Sequence, residues 1–198
     1  MNVKGFWLGF AVGTVFTCLF GQWVLSAVSK EPDPPKSIPA ETVADYVHSV
    51  IQADRTIYTN EVVERMQMRG IVTASENWRK TWRLPLPAQF LIEAGRLVAE
   101  QPHGIRFRLI SNWAINKKNG PATDFERTGL TEILVDPDRP YRGIMTEGGI
   151  RYFQALYPDK AVSQTCIGCH NAHPDSPRRD FKPRDVMGGL LVTIPLPQ

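Results

Sequence analysis

The residues with the clearest chemical potential lie near the C-terminus, in the stretch QTCIGCHNAHPD that begins at residue 164. Cys166 and Cys169 are three positions apart, so on a turn or at the start of a helix their thiols project side by side. Such a pair could reach two vinyl groups on one edge of a porphyrin. His170 follows at once, and its imidazole could take the fifth coordination position of the iron. C-x-x-C-H is the attachment sequence of a c-type haem.

Two alternatives are open for the same residues. A structural zinc site needs four Cys or His ligands, usually as two pairs separated by a loop, and the only nearby fourth candidate is His173. A redox-active dithiol of the thioredoxin type opens a helix near the start of a βαβ unit, whereas this motif lies near the C-terminus. The sequence therefore favours one covalently bound haem c.

Composition sets broad limits on the remaining function classes. The chain has 198 residues, of which 42% are hydrophobic and 22% charged, and this balance is typical of a globular protein. Its three cysteines are too few for a disulfide framework. A net charge of +3 gives no indication of nucleic-acid binding.

The N-terminal segment predicts export. Residues 6–29 carry no charge over 24 positions, which is long enough to cross a hydrocarbon core of about 30 Å. We expect residues 1–30 to form a single-pass anchor in the inner membrane, with the rest of the chain in the periplasm. The alternative is a signal peptide cleaved after Ala27-Val28-Ser29. Glycines at positions 5, 9 and 13 would let two anchors pack closely, so a homodimer is a further alternative.

The exported part divides into a linker and one domain. Residues 31–40 are rich in proline and predict a semi-rigid spacer, followed by a domain over residues 41–198. Hydrophobic periodicity predicts a long helix from Thr42 to before Gly70 and a second helix from Pro87 to before Pro102. Strands are predicted at 105–113, in a hairpin that turns at Gly148-Gly149, and at 187–197. A short helix is expected through Leu134, with Asp124 as its N-cap. The pattern predicts an α+β domain with an antiparallel sheet.

Three segments resemble a family of exported domains that bind one covalent haem c: YVHSVIQADRTIYT (46–59), NWAINKKN (112–119) and ALYPDKAVSQTCIGCHNAHPDSPRRDFKPRDVMGG (155–189). The family occurs alone or at the sensory end of bacterial kinases and chemoreceptors. The resemblance implies a PAS-like fold whose long N-terminal helix packs across the haem. In one branch of the family that helix supplies a cysteine as the second axial ligand, but this sequence has no cysteine between residues 19 and 165.

The second axial ligand must therefore come from another residue type or be absent. Imidazole and thioether groups are common partners of haem iron. The candidates are His48, His103, His173, Met66, Met68, Met145 and Met187. His48 is preferred because it shares the long helix with Arg55, which we expect to contact a haem propionate. Arg178 and Arg179 belong to a basic cluster after the haem motif and are further propionate candidates.

These features predict a membrane-anchored, periplasmic, monohaem c-type cytochrome-like protein that acts in electron transfer or redox sensing through a redox or signalling partner. A haem module that senses NO, CO or O2 and signals through a partner is the first alternative. A haem peroxidase is the second, but no set of distal acid and base residues is recognisable, so we do not expect an enzyme.

Overall fold

A computed structural model describes residues 37–197. The predicted anchor at 1–30 and residues 31–36 of the predicted linker lie outside the described residues. Ser37 and the residues that follow it belong to one compact unit. Over the described range, none of the helices has both the length and the apolar character that a membrane crossing requires.

The long N-terminal helix is present, and it changes character along its length. Helix α1 spans Ala40–Ile57, a π-helical segment follows over Tyr58–Glu64, and α2 (Arg65–Met68) completes the run. Pro39 occupies the N-cap position of α1, where its missing N–H costs nothing. The π segment contains Tyr58, Thr59, Val62 and Val63, side-chain types that crowd the preceding turn of an α-helix.

Two helices lie between this helical run and the first strand in the sequence. Helix α3 is a single turn over Trp78–Thr81, and α4 spans Pro87–Ala99, where proline stands at the first helical position. The predicted second helix is therefore confirmed. It ends just before the turn that contains Pro102 and Gly104, and Gly104 has a φ of +69° that favours glycine.

The four strands within residues 37–197 form one antiparallel sheet in the order β1-β4-β3-β2. The strands are β1 (Arg106–Ile110), β2 (Tyr141–Glu147), β3 (Ile150–Lys160) and β4 (Val186–Pro195). Gly148 and Gly149 close the β2–β3 hairpin with positive φ angles, as the sequence predicted. A register irregularity between Asp159 and Lys160 marks a β-bulge opposite the start of β4.

Helices cover both faces of this sheet, so the α+β prediction with flanking helices is confirmed. Helices α1 and α4 pack on one face through a core that includes Ile51, Leu91 and Val192. Helix α5 (Asp124–Val135) packs on the other face through Leu130, Ile133 and Leu156, among others. The N-cap of α5 is Thr123, whose hydroxyl accepts a hydrogen bond from the Glu126 amide; the sequence had suggested Asp124. Helix α6 (Gln164–Ala172) follows β3 in the chain and precedes β4.

Gly95 tests how closely α4 packs against β1. A Cβ atom at Gly95 would lie 2.7 Å from the carbonyl oxygen of Phe107. Alanine normally stabilises a helix interior by about 1 kcal/mol relative to glycine, but overpacking against a backbone costs about 1–3 kcal/mol. We expect Gly95→Ala to lower the free energy of unfolding by about 1–2 kcal/mol in urea titrations. Gly168→Ala in α6 meets open space and should not be destabilising. A gain in stability for both variants would contradict this packing.

Candidate functional site

The C-x-x-C-H motif lies on helix α6, directly after strand β3. Cys169 closes the last turn of the helix, because its carbonyl accepts the amide of His173 at 2.9 Å. At the other end of the helix, the Thr165 hydroxyl donates to Glu64 at 3.0 Å, which fixes α6 to the end of the π segment. The motif is thus held against the long N-terminal helical run.

A cavity of about 430 Å³ opens beside α6, within the size range of cofactor sites, roughly 300–1,000 Å³. Cys166, Cys169 and His170 all line it. Its other walls are the second half of the long helix, the start of α4, the segment after β1, and the bulged ends of β3 and β4. These walls include Arg55, Thr59, Val63, Leu86, Ile92, Ile115, Asp159 and Met187. The cavity therefore combines an apolar lining with a few polar groups.

The two thiols lie free on the cavity wall and are not joined in a disulfide. Burial raises the pKa of Cys169, and nearby Glu76 raises it further. The Cys166 sulfur is 3.5 Å from the Ser163 hydroxyl. No three His, Cys, Asp or Glu side chains within residues 37–197 converge as a metal-binding group.

His170 is a half-buried imidazole whose surroundings favour its neutral form. Burial lowers its pKa, against the opposing attraction of Asp159. Its Nδ1 atom is buried and has no hydrogen-bond partner among the described residues. The ring meets Phe181 edge-on, with centroids 5.8 Å apart. Neutral imidazole is the form that coordinates iron, so the state of His170 suits that role.

The residues after His170 lock the motif in place. Asn171 exchanges two hydrogen bonds with the backbone of Phe181, each 3.0 Å long. His173 uses both ring nitrogens: Nδ1 accepts the Asp175 amide at 3.1 Å, and Nε2 lies 2.9 Å from Glu76. His173 therefore fastens the loop after α6 and is already engaged on both sides.

Arg55 and Asp159 form a buried ion pair in the cavity wall, each with 7% of its side chain exposed. Burial acts to lower the pKa of Arg55, but the attraction of Asp159 outweighs it and the pKa is raised. The Arg55 Nε atom is buried and has no hydrogen-bond partner among the described residues. A buried arginine with a free donor beside a cavity is suited to a carboxylate ligand.

The π segment gives the cavity its inner wall. Thr59 and Val63 are each only 1% exposed and line the cavity one turn apart. The Thr59 hydroxyl donates to the Arg55 carbonyl at 2.7 Å. Tyr58 stacks on Phe90 and donates to the carbonyl of Pro85 at 2.7 Å, and burial raises its pKa to about 12. Single π-helical turns are often found at functional sites, and here one joins α1 to α4.

The structure does not bring His48 to the cavity that His170 lines. The imidazole of His48 lies flat on Tyr157, with ring centroids 3.9 Å apart and planes 5° apart. The Tyr157 hydroxyl in turn donates to Asp45 at 2.6 Å. His48 thus belongs to the packing of α1 on β3, and its role as the distal iron ligand stays a prediction that this placement does not favour.

Two of the three predicted propionate contacts also lie away from the cavity. Arg178 binds Asp180 and Asp185, at 2.7 Å and 2.9 Å, and its guanidinium stacks over Trp113 and Phe181. Arg179 donates to the carbonyls of Ser176 and Pro174 within its own loop. Of the three predicted arginines, Arg55 is the one that lines the cavity, and the propionate contacts themselves stay predictions.

The other candidate ligands are distributed as follows. His103 and Met68 are exposed, and Met66 and Met145 are half-buried, all four away from the cavity lining. Met187 is buried and does line the cavity, at the β-bulge. Sequence reasoning missed Asp159, Asn171 and Phe181. Asp159 could not be predicted from its neighbours in sequence, because its partner Arg55 is 104 residues away. Asn171 directly follows the motif, and its position there was the one available signal.

The protein is thus an α+β domain with two cysteines and one histidine on the wall of a cavity of cofactor size. The Tll0287-like family model matches residues 37–195, and the chain belongs to this family. Among solved structures, the crystal structure of the cyanobacterial heme-protein Tll0287 is similar, with 16% sequence identity and a TM-score of 0.48. That comparison covers 81% of this chain and 99% of the other. No curated protein matches the sequence.

Removing one partner of the buried ion pair should be strongly destabilising. Asp159→Asn keeps the shape of the side chain but leaves the Arg55 charge buried without compensation. We expect the free energy of unfolding in urea to fall by about 3–5 kcal/mol. The matched control is Glu61→Gln, which breaks the exposed pair with Arg65 and should cost no more than about 1 kcal/mol. Equal costs for the two variants would show that the Arg55–Asp159 pair is not buried as described.

His48 should make the fold sensitive to mild acid. Burial lowers the pKa of His48 below its ordinary 6.5, against the attraction of Asp45 and Asp159. As the pH falls below that ordinary value, the unfolded chain gains a proton before the folded chain does, and stability is lost. In His48→Gln, the free energy of unfolding should therefore fall less between pH 7 and 5, approximately, than in the wild type. His103→Gln is the control, and identical pH profiles for His48→Gln and the wild type would contradict the prediction.

Proposed function

We propose that this protein binds one haem c covalently and acts in electron transfer or redox sensing. Thioether bonds to Cys166 and Cys169 would hold the porphyrin, and His170 would coordinate its iron. The observation that supports this proposal best is the single cavity wall on which the two thiols and the imidazole of His170 meet. A haem c at this site would supply one-electron chemistry through its iron.

The residues around the cavity fit such a group. His170 has a buried Nδ1 without a partner and a lowered pKa, which keeps the imidazole neutral. Arg55 offers a buried Nε donor, suited to a propionate. Leucine and isoleucine side chains on the other walls would exclude water from a bound porphyrin. The family match adds support, because Tll0287, the protein for which the family is named, is described as a cyanobacterial heme-protein.

The cellular setting extends the proposal beyond the described residues. The uncharged stretch at 6–29 supports a single-pass anchor in the inner membrane, or alternatively a cleaved signal, and either would put the domain in the periplasm. Covalent haem attachment in that compartment agrees with the motif. The antiparallel sheet with flanking helices is consistent with a PAS-like sensor fold. The partner would be a redox or signalling protein.

The position of His48 favours a second candidate function. With His48 stacked on Tyr157, the preferred distal ligand is not in the cavity lining. Iron with an open or weakly held sixth position could bind a small gas, which would make the domain a gas-sensing module that signals through a partner.

Absorption spectra of ligand variants test the assignment of the axial ligands. We expect His170→Ala to alter the reduced spectrum, because it removes the proximal ligand, whereas His48→Ala should leave the spectrum unchanged. His173→Ala serves as the matched control within the motif. If His48→Ala changes the spectrum as much as His170→Ala does, His48 coordinates the iron and its stacking on Tyr157 is not the state of the haem-bound protein.

Carbon monoxide separates the two candidate functions. A reduced wild-type spectrum that the gas does not change supports electron transfer or redox sensing by six-coordinate iron. A large shift on adding the gas supports the gas-sensing module. A purified protein with no haem spectrum at all, from cells that attach haem c to other proteins, would overturn both.

A further inference from the structure

Helix α1 carries an apolar stripe that nothing in the described part of the chain covers. We define the α1 stripe as Tyr46, Val50, Ala53 and Ile57. Tyr46, Val50 and Ile57 are 63%, 61% and 59% exposed, and Ala53 is exposed as well. On most monomeric proteins, exposed large apolar side chains are scattered one by one over the surface. An aligned set of them therefore indicates an interaction surface.

The stripe lies opposite the buried side of the same helix. At 3.6 residues per turn, its four residues fall within one narrow arc, roughly half a turn away from Ala44, Ile51 and Arg55. Those three residues are buried against the sheet or at the cavity. Packing of the hydrophobic core therefore does not explain why these four exposed positions of α1 are apolar.

The acidic side chains near the N-terminal end of α1 bind the sheet and do not enter the stripe. Glu41 and Asp45 both bind Arg142 of strand β2, at 2.8 Å and 2.9 Å. On the same side of the helix, and closer to the stripe, the Ser49 and Thr56 hydroxyls donate to backbone carbonyls of their own helix, at 2.8 Å and 2.7 Å. Because these hydroxyls are already satisfied, burying that flank would leave no polar group unpaired.

The spacing of the stripe identifies the kind of partner. Its residues follow one another at intervals of four, three and four, which is the repeat of a helix that packs against a second helix in a coiled coil. We propose that the α1 stripe pairs with the same stripe of a second copy, so that two chains form a parallel dimer along α1. In this arrangement the uncharged flank of Ser49 and Thr56 faces the flank that carries Asp54, and no like charges meet.

The chain outside the structure determines the orientation. Thirty-six residues precede the described part and enter α1 at its N-terminal end. If their uncharged stretch lies in a membrane, both copies must leave α1 on the same side, and the two helices must run parallel. The parallel orientation thus rests on the anchor of the proposed function, and neither the orientation nor the dimer rests on the proposed haem.

The short length of the stripe has a consequence for strength. Four residues over three turns extend about 17 Å, less than most stable coiled coils. Two chains confined to one membrane or micelle have a high effective concentration, so a weak contact is sufficient there. We therefore expect the dimer in the full-length anchored protein. Because α1 also carries Arg55, this interface would lie on the same helix as the cavity.

Sedimentation of the full-length protein in detergent micelles tests the dimer. Val50→Glu and Ile57→Glu place a charge in the stripe and should weaken dimerisation at least tenfold. Ile144→Glu is the matched control, because Ile144 is 55% exposed on strand β2 and outside the stripe; this variant should remain dimeric. Circular dichroism confirms that each variant is folded. A monomeric wild type, or dimerisation that Val50→Glu leaves unchanged, would overturn the proposal.

Disulfide cross-linking tests the orientation. Val50→Cys, compared with the parent chain, should give a cross-linked dimer on oxidation, because equivalent positions meet in a parallel pair. Cross-linking only between mixed Val50→Cys and Ala53→Cys chains would show an antiparallel pair and overturn the parallel arrangement. Neither readout depends on haem, so failure of the dimer is distinguishable from failure of the proposed haem site.

Discussion

The buried ion pair between Arg55 and Asp159 is the interaction on which the site depends. It joins the long N-terminal helix to the end of β3 at the wall of the cavity. Two charges out of water are tolerated only when each compensates the other, so the pair fixes the distance between helix and strand. Strand β3 then leads within four residues into α6, which carries both cysteines and His170.

Every other wall of the cavity is tied to this helix-strand junction. Tyr58 links the π segment to α4, and Thr165 links α6 back to Glu64. The bulge at Asp159 shifts the pairing of β3 with the start of β4, where Met187 and Gly188 reach the cavity. The result is a pocket whose apolar walls come from rigid elements and whose few polar groups are fixed by named partners. Such preorganisation is what a cofactor site requires.

Local sequence signals predicted the parts of the fold that have local causes. Paired glycines at 148 and 149 identified the hairpin because they supply positive φ angles, and Pro87 identified the start of α4. The C-x-x-C-H motif identified the thiols and the imidazole that the structure places on one wall, and their chemical role stays a prediction. In each of these cases, the residues that matter are neighbours in the chain.

Features that depend on distant residues could not be predicted in the same way. His48 shares a helix with Arg55 but stacks on Tyr157, which is 109 positions further along, and helical spacing alone could not show this. Arg178 and Arg179 follow the motif in sequence, yet nearby acids and carbonyls already bind them. Proximity to a motif in the sequence is therefore weak evidence that a residue contacts the ligand of that motif. A buried side chain that lines the cavity and has an unpaired donor, such as Arg55, is stronger evidence.

The most direct test of the central claim is the intact mass of the polypeptide after denaturing chromatography, which removes any haem that is not covalently bound. Protein purified from cells that mature c-type cytochromes should carry the mass of one haem, and replacement of both Cys166 and Cys169 by serine should abolish that added mass. A wild-type polypeptide that shows only the mass of its amino acids would contradict the account.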